Sequence, residues 1–104
     1  MKDYNIIVGG NIRAIRTYKH MSQHTLAVKC GHNTPSARAW ISKIESGQRA
    51  TYTSDIGIIA DALGVEPPAL FVDYQTTDPD LVYDKMMAYT KALTEQLQRN
   101  PNEE

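Results

Sequence analysis

Apolar residues return along the chain at steps of three and four, and each run of such steps ends in a helix-stopping signal. Val8, Ile12 and Ile15 form the stripe of a first helix, over about residues 5 to 19, whose intrinsic propensity Gly9 and Gly10 lower. Leu26, Ala27 and Cys30 do the same for a short second helix, residues 23 to 30, which Ser22 can cap and Gly31 ends. A third helix is predicted to open with Thr34 as cap and Pro35 in the first helical position, and to close at Gly47. On a period of 3.6, Ala37, Trp40, Ile41 and Ile44 share one face of it, and Arg38, Ala39, Ser42, Lys43 and Ser46 share the other. A fourth helix starts at Thr53 or Ser54, turns Ile56, Ile59, Ala60 and Leu63 inward and stops at Gly64. A brief fifth turn, residues 67 to 71, opens with prolines and is expected to give Leu70 and Phe71 to the core.

These five short helices predict a compact all-α unit over residues 1 to 72. Residues 73 to 78 lie in the polar stretch VDYQTTDPD and read as a linker, with Asp78 as cap and Pro79 as first residue of a sixth helix. That helix, about residues 79 to 99, is the longest in the chain, and its stripe is Val82, Met86, Tyr89, Leu93 and Leu97. Tyr83, Met87 and Ala88 broaden the stripe near its start, and the final PNEE is expected to fray. The stripe can pack on its own domain or on a second copy. A closed five-helix unit leaves little apolar surface to cover it, so the expectation is a homodimer joined through these five residues.

At 104 residues the chain suits one small domain with an appendage. No apolar run is long enough for a bilayer, and MKDYNIIVGGN lacks the layout of a signal peptide, so a cytoplasmic location is expected. The single Cys30 excludes an internal disulfide and reads as a small core residue. Formal net charge is only -1, but it is unevenly spread. Residues 1 to 64 carry eight Lys or Arg against four Asp or Glu, whereas residues 65 to 104 carry three against eight. The basic half contains the third helix, whose outer face sets small residues beside Arg and Lys without an acid. That composition suits close approach to the phosphate-lined major groove of DNA.

Other chemistries find less support. Trp40 could serve as a stacking platform for single strands, but its face is shared with Ala37, Ile41 and Ile44, which assigns it to the core. His20, His24 and His32 with Cys30 lack the spacing of a zinc site, so no metal is expected. No Gly-rich phosphate loop, paired-carboxylate site or nucleophile with an evident base occurs. Neither an enzyme nor a cofactor is expected.

The segments NIRAIR at 11 to 16, MSQHTLA at 21 to 27, ISKIESGQR at 41 to 49 and IGIIADALGVEPPALF at 56 to 71 together resemble the phage repressor and Cro family of helix-turn-helix domains. The resemblance covers about two thirds of the chain. It implies a five-helix DNA-binding domain whose third helix enters the major groove. By position it makes Gln23 a phosphate contact that also braces the third helix, with Ser22 capping beside it, and makes Arg16 and Glu45 an ion pair between the first and third helices. The chain departs from the family pattern after Gly31: nine residues, HNTPSARAW, precede Ile41, about four more than in the family. The extra residues are expected partly in the turn and partly as an added first turn of the third helix.

The base-contacting set expected from this reading is Ser36, Arg38, Ala39, Ser42 and Lys43, with Arg38 as the candidate for a bidentate contact to guanine. The phosphate-contacting set is Ser22, Gln23, Ser46, Gln48 and Arg49. Function is expected to be regulation of transcription, most simply repression by a homodimer on a palindromic double-stranded operator. The rival from another class is an antitoxin-like protein whose acidic C-terminal segment neutralises a partner protein while DNA binding serves autoregulation. A controller of a restriction-modification system would share the DNA chemistry.

Overall fold

The computed structural model describes residues 1 to 99; the expected frayed tail, residues 101 to 104, lies outside them. Among the described residues the fold is all-helical: α1 Tyr4–Tyr18, α2 Gln23–Lys29, α3 Ala37–Glu45, α4 Thr53–Leu63, a 3-10 helix Pro67–Phe71, and α5 Pro79–Gln98. No helix among them is long and apolar enough to cross a membrane.

The helices begin and end for local reasons. Asp3 caps α1, its carboxylate accepting from the backbone N–H of Asn5 at 3.0 Å and of Ile6 at 3.4 Å. Ser22 caps α2 through the N–H of Thr25, and Asp78 caps α5 through the N–H of Asp80 with Pro79 in the first helical position. The first four helices all close in one way. Within two residues of each end the chain enters the left-handed region (His20, Gly31, Gly47 and Gly64), and the next N–H reaches back five residues to a helix carbonyl. Three of these stops are glycines; His20, at φ 55°, is the exception and gives no sequence signal.

The start of the third helix differs from expectation. The Thr34 hydroxyl contacts the Ser36 hydroxyl at 3.1 Å instead of a backbone N–H, and the N–H of Ala37 donates to the Thr34 carbonyl at 3.1 Å. Residues 34 to 37 therefore form a turn with Pro35 second, a position its fixed φ suits as well as it suits a helix start. α3 begins at Ala37, so the first helical turn expected from Thr34 and Pro35 does not form and these residues lie in the connection.

One core joins all the helices. It is built from Val8, Ile12 and Ile15 of α1, Leu26 and Ala27 of α2, Ile41 and Ile44 of α3, Ile59 and Leu63 of α4, Leu70, and Val82 and Met86 of α5. The last two correct the assembly expected from the sequence: Val82 and Met86 are buried within the chain and are not available to a second copy. Beside them Tyr83 stacks on Tyr18 with ring centroids 3.9 Å apart. Phe71 is a second correction. It is 44% exposed, and Ala69 is buried with Leu70 in its place, because each residue of a 3-10 helix turns about 120° from the last.

The stretch at residues 73 to 78, expected to be a linker, is fastened to the core. Asn11, buried in α1, donates both its amide hydrogens outward, to the carbonyls of Leu70 at 2.9 Å and Val72 at 2.8 Å. Tyr74 is buried and its hydroxyl donates to the Ala69 carbonyl at 2.6 Å, while Lys85 of α5 donates to the Tyr74 carbonyl at 3.0 Å. The first two turns of α5 are thereby held against α1. From Lys91 onward every described residue except Leu93 is exposed, and Leu97 is 77% exposed, so the helix projects beyond the core. The 54 × 28 × 26 Å extents reflect that projection.

Gly9 and Gly10 have opposite roles. A Cβ on Gly9 would strike the carbonyl oxygens of Ile44 and Glu45, so α1 and α3 cross too closely for any side chain there. A Cβ on Gly10 would meet nothing within 4 Å. Gly9→Ala should destabilise by about 1–3 kcal/mol, since backbone atoms must move apart, whereas Gly10→Ala should stabilise by about 0.5–1 kcal/mol through helix propensity. Urea unfolding of the two variants measures both, and equal effects would contradict the close crossing.

Candidate functional site

α3 carries its apolar side inward and its polar side out. Ala37, Trp40, Ile41 and Ile44 are buried, while Ser36, Arg38, Ala39, Ser42, Lys43 and Ser46 are exposed, as are Gln48 and Arg49 in the loop that follows. Glu45, the one acid of the helix, is turned inward and buried. The outer face thus combines cations, small side chains and hydroxyls with no carboxylate of its own.

Ala39 sits on a ridge between two depressions. On one side Pro35, Arg38, Ala39 and Ser42 line a shallow recess. On the other, Ser36, Ala39, Lys43 and Arg49, together with His32, Ala37, Trp40 and Asp55 of α4, line a hollow of about 360 Å³. The base-contact candidates therefore share one surface, and Arg49 joins them from the loop.

The phosphate-contact candidates divide by the fate of their protons. The Ser22 hydroxyl accepts from the Thr25 N–H and donates to the Thr25 hydroxyl, both at 2.9 Å. The Ser46 hydroxyl donates to the Lys43 carbonyl at 3.1 Å. Each serine proton is already engaged. Gln23 donates one amide hydrogen to Glu45 at 3.0 Å, which leaves its second amide hydrogen as the one available for an anion. Gln48 and Arg49 are exposed.

What orients α3 is a network around Glu45. The Arg16 guanidinium grips the carboxylate in a two-pronged pair, Nε to Oε2 at 2.6 Å and Nη2 to Oε1 at 3.0 Å, and its Nη1 donates to the Met21 carbonyl at 2.8 Å. The Gln23 amide completes the set at Oε1. The last turn of α1, the connection to α2, the first residue of α2 and the last residue of α3 thus meet at one carboxylate. The pair is largely withdrawn from solvent, with side chains 14% and 3% exposed, so charge and hydrogen bonds are weakly screened there.

The stacking and nucleophile alternatives are decided by burial. Trp40 is 8% exposed, and His32 covers its ring with centroids 3.9 Å apart and planes 23° from parallel. That ring is not open to a nucleobase. Cys30 is buried, and burial, with a smaller contribution from the charge of Asp55, pushes its thiol up to about 11, which suppresses the thiolate. Among the described residues no three His, Cys, Asp or Glu side chains group closely enough to hold a metal ion. His32 and Asp55 were not singled out from the sequence as members of this surface. They reach it from the elongated turn and from α4, and no periodicity links them to α3.

Comparison of the chain with protein-family models, with curated proteins and with solved structures finds no match.

The Glu45 network generates a stability test. Arg16→Ala strands the carboxylate and Glu45→Ala strands the guanidinium, so each should destabilise by about 2–4 kcal/mol. Removing both should cost clearly less than the sum. A double-mutant cycle in urea should give a coupling of about 1–3 kcal/mol, and a coupling of zero would show that the two side chains do not interact in solution.

Proposed function

We propose that this chain is a sequence-specific double-stranded DNA-binding regulator of transcription, with α2 and α3 acting as a helix-turn-helix and α3 as the element that enters the major groove. The observation that carries the reading is the outer face of α3: exposed Arg38 and Lys43 among Ser36, Ala39 and Ser42, with the helix's only acid withdrawn into an ion pair. A groove-reading helix needs small side chains for close approach, cations for phosphate and guanine, and a rigid mounting. Arg38 serves as the bidentate base contact. Lys43 lies more than a turn further along, and Arg49 and Gln48 lie along the phosphate backbone. Gln23 adds one donor at the start of α2. On this reading the protein has no catalytic role and works in the cytoplasm, as a repressor.

A homodimer remains part of the proposal, with its contact moved outward along α5. Val82 and Met86 are spent on the intrachain core and Tyr89 packs against it, so the joining surface centres on Leu93 and Leu97 on the last turns, with Tyr89 at its edge. The antitoxin-like alternative gains less from the projecting stretch, which sets Lys91 and Arg99 against Glu95. The acids of the C-terminal half lie mainly earlier, at Glu66, Asp73, Asp78, Asp80 and Asp84.

Selection of bound duplexes from a random pool tests the reading directly; recovery of no preferred sequence would overturn it. On the selected site Arg38→Ala should lose about 1–3 kcal/mol of binding and relax the preference at one guanine. Arg49→Ala should weaken all duplexes alike and lower the slope of log K against log salt by about one. The reverse pattern would exchange their roles.

Assembly is tested separately. Wild type should sediment as a dimer, and its site should be a palindrome with half-sites about 10 base pairs apart. Leu97→Asp should give a folded monomer with weak half-site binding, because Leu97 contributes nothing to the core. Sedimentation of wild type as a monomer would remove the dimer from the proposal.

A further inference from the structure

The hollow beside α3 holds three kinds of chemistry that the DNA reading does not use together. Its wall is aromatic, made by the stacked His32 and Trp40. Its lining also includes the cations Lys43 and Arg49 and the carboxylate of Asp55. Among the described residues none of these three charged groups forms a salt bridge. Two cations and an acid therefore border one space without neutralising each other. At about 360 Å³ the space lies at the lower end of the range for small-molecule sites.

We propose that this hollow is an effector site for a guanine mononucleotide. A planar heteroaromatic ring can lie on His32, which is half-buried and is itself backed by the covered Trp40 ring. The edge of guanine that bears N1–H and the N2 amine presents two adjacent donors, the complement of a carboxylate such as Asp55. The phosphate is then left for Lys43 and Arg49. Adenine and cytosine offer no such pair of donors on one edge.

The regulatory consequence rests on the proposed DNA reading; nucleotide binding itself does not. Ser36, Ala39 and Lys43 border the hollow and also face the major groove in that reading, so a nucleotide seated there excludes DNA and acts as an inducer.

Trp40 is the only tryptophan in the chain and forms part of the wall, so its fluorescence reports occupancy without DNA. Guanosine 5′-monophosphate should change the emission of the full-length protein saturably, with guanosine and cytidine 5′-monophosphate at least about tenfold weaker. Asp55→Asn and Lys43→Ala should each weaken the mononucleotide by about tenfold or more; circular dichroism establishes that each variant is folded, and either one alone suffices for the comparison. No saturable change, an equal response to guanosine, or undiminished affinity in a folded variant overturns the site. In a second measurement the mononucleotide should release wild-type protein from its selected duplex. Saturable binding with the duplex retained overturns the inducer role. If selection recovers no duplex, the DNA reading and the inducer role fall together, while the fluorescence titration still decides the nucleotide site.

Discussion

Burying the Glu45 carboxylate commits two other segments to positions from which they can donate to it, and a third to a position from which it can hold the main donor. Arg16 must approach from α1 with its guanidinium in plane, Gln23 must stand at the first turn of α2, and the carbonyl of Met21 must face the remaining guanidinium nitrogen. A carboxylate in so dry a place without these partners would cost several kcal/mol. The same crossing is fixed a second time by Gly9, whose missing side chain lets α1 lie directly on the carbonyls of Ile44 and Glu45. Polar satisfaction and steric closeness therefore demand one and the same arrangement of α1, α2 and α3. A helix held at its C-terminal end in this way presents its outer residues at a defined angle, which any surface that reads a rigid groove requires.

The two ends of α3 are held differently. Its C-terminal end is bound by ions, hydrogen bonds and a backbone contact. Its N-terminal end follows an exposed turn whose internal bonds, Thr34 to Ser36 and Ala37 to Thr34, do not reach the core; Ala37 and the His32–Trp40 stack provide the packing there. The angle of the outer face is thus set from the rigid end, while the other end borders the hollow.

Much of this architecture is legible in the amino-acid sequence because it is local. The stripes of α1, α2 and α4 are matters of periodicity, and Ser22, Gly47 and Asp78 mark boundaries through their own side chains or their lack of one. Other features are legible only with a second element in view. Gly9 reads as a weakness in a helix until α3 is placed across it, and Gly10, identical in sequence terms, has no such neighbour. Thr34 and Pro35 are as good at opening a turn as at opening a helix, and only the hydroxyl contact with Ser36 distinguishes the two. Val82 and Met86 lie on the same stripe as Leu97, but a stripe does not state whose surface it covers. Asn11, a polar residue on a buried face, carries the missing information: its amide ties the end of the 3-10 helix to α1 and brings α5 with it. For the phosphate-contact candidates the residues are legible and their engagement is not, since Ser22 beside α2 and Ser46 after α3 spend their protons within a few residues.

The manner in which α2 ends has a consequence for how such a chain can change over time. α2 is closed by Gly31 and the bond from His32 back to Ala27, and α3 is registered from its far end, so neither helix relies on the length of the segment between them. Extra residues there carry mainly the entropy of a longer loop, which grows only as the logarithm of its length and amounts to about 0.6 kcal/mol per doubling. The connection is therefore a place where length can drift almost free of selection for stability. Side chains such as His32 and Ser36 can thereby be placed beside the outer face of α3 without disturbing the anchoring of either helix.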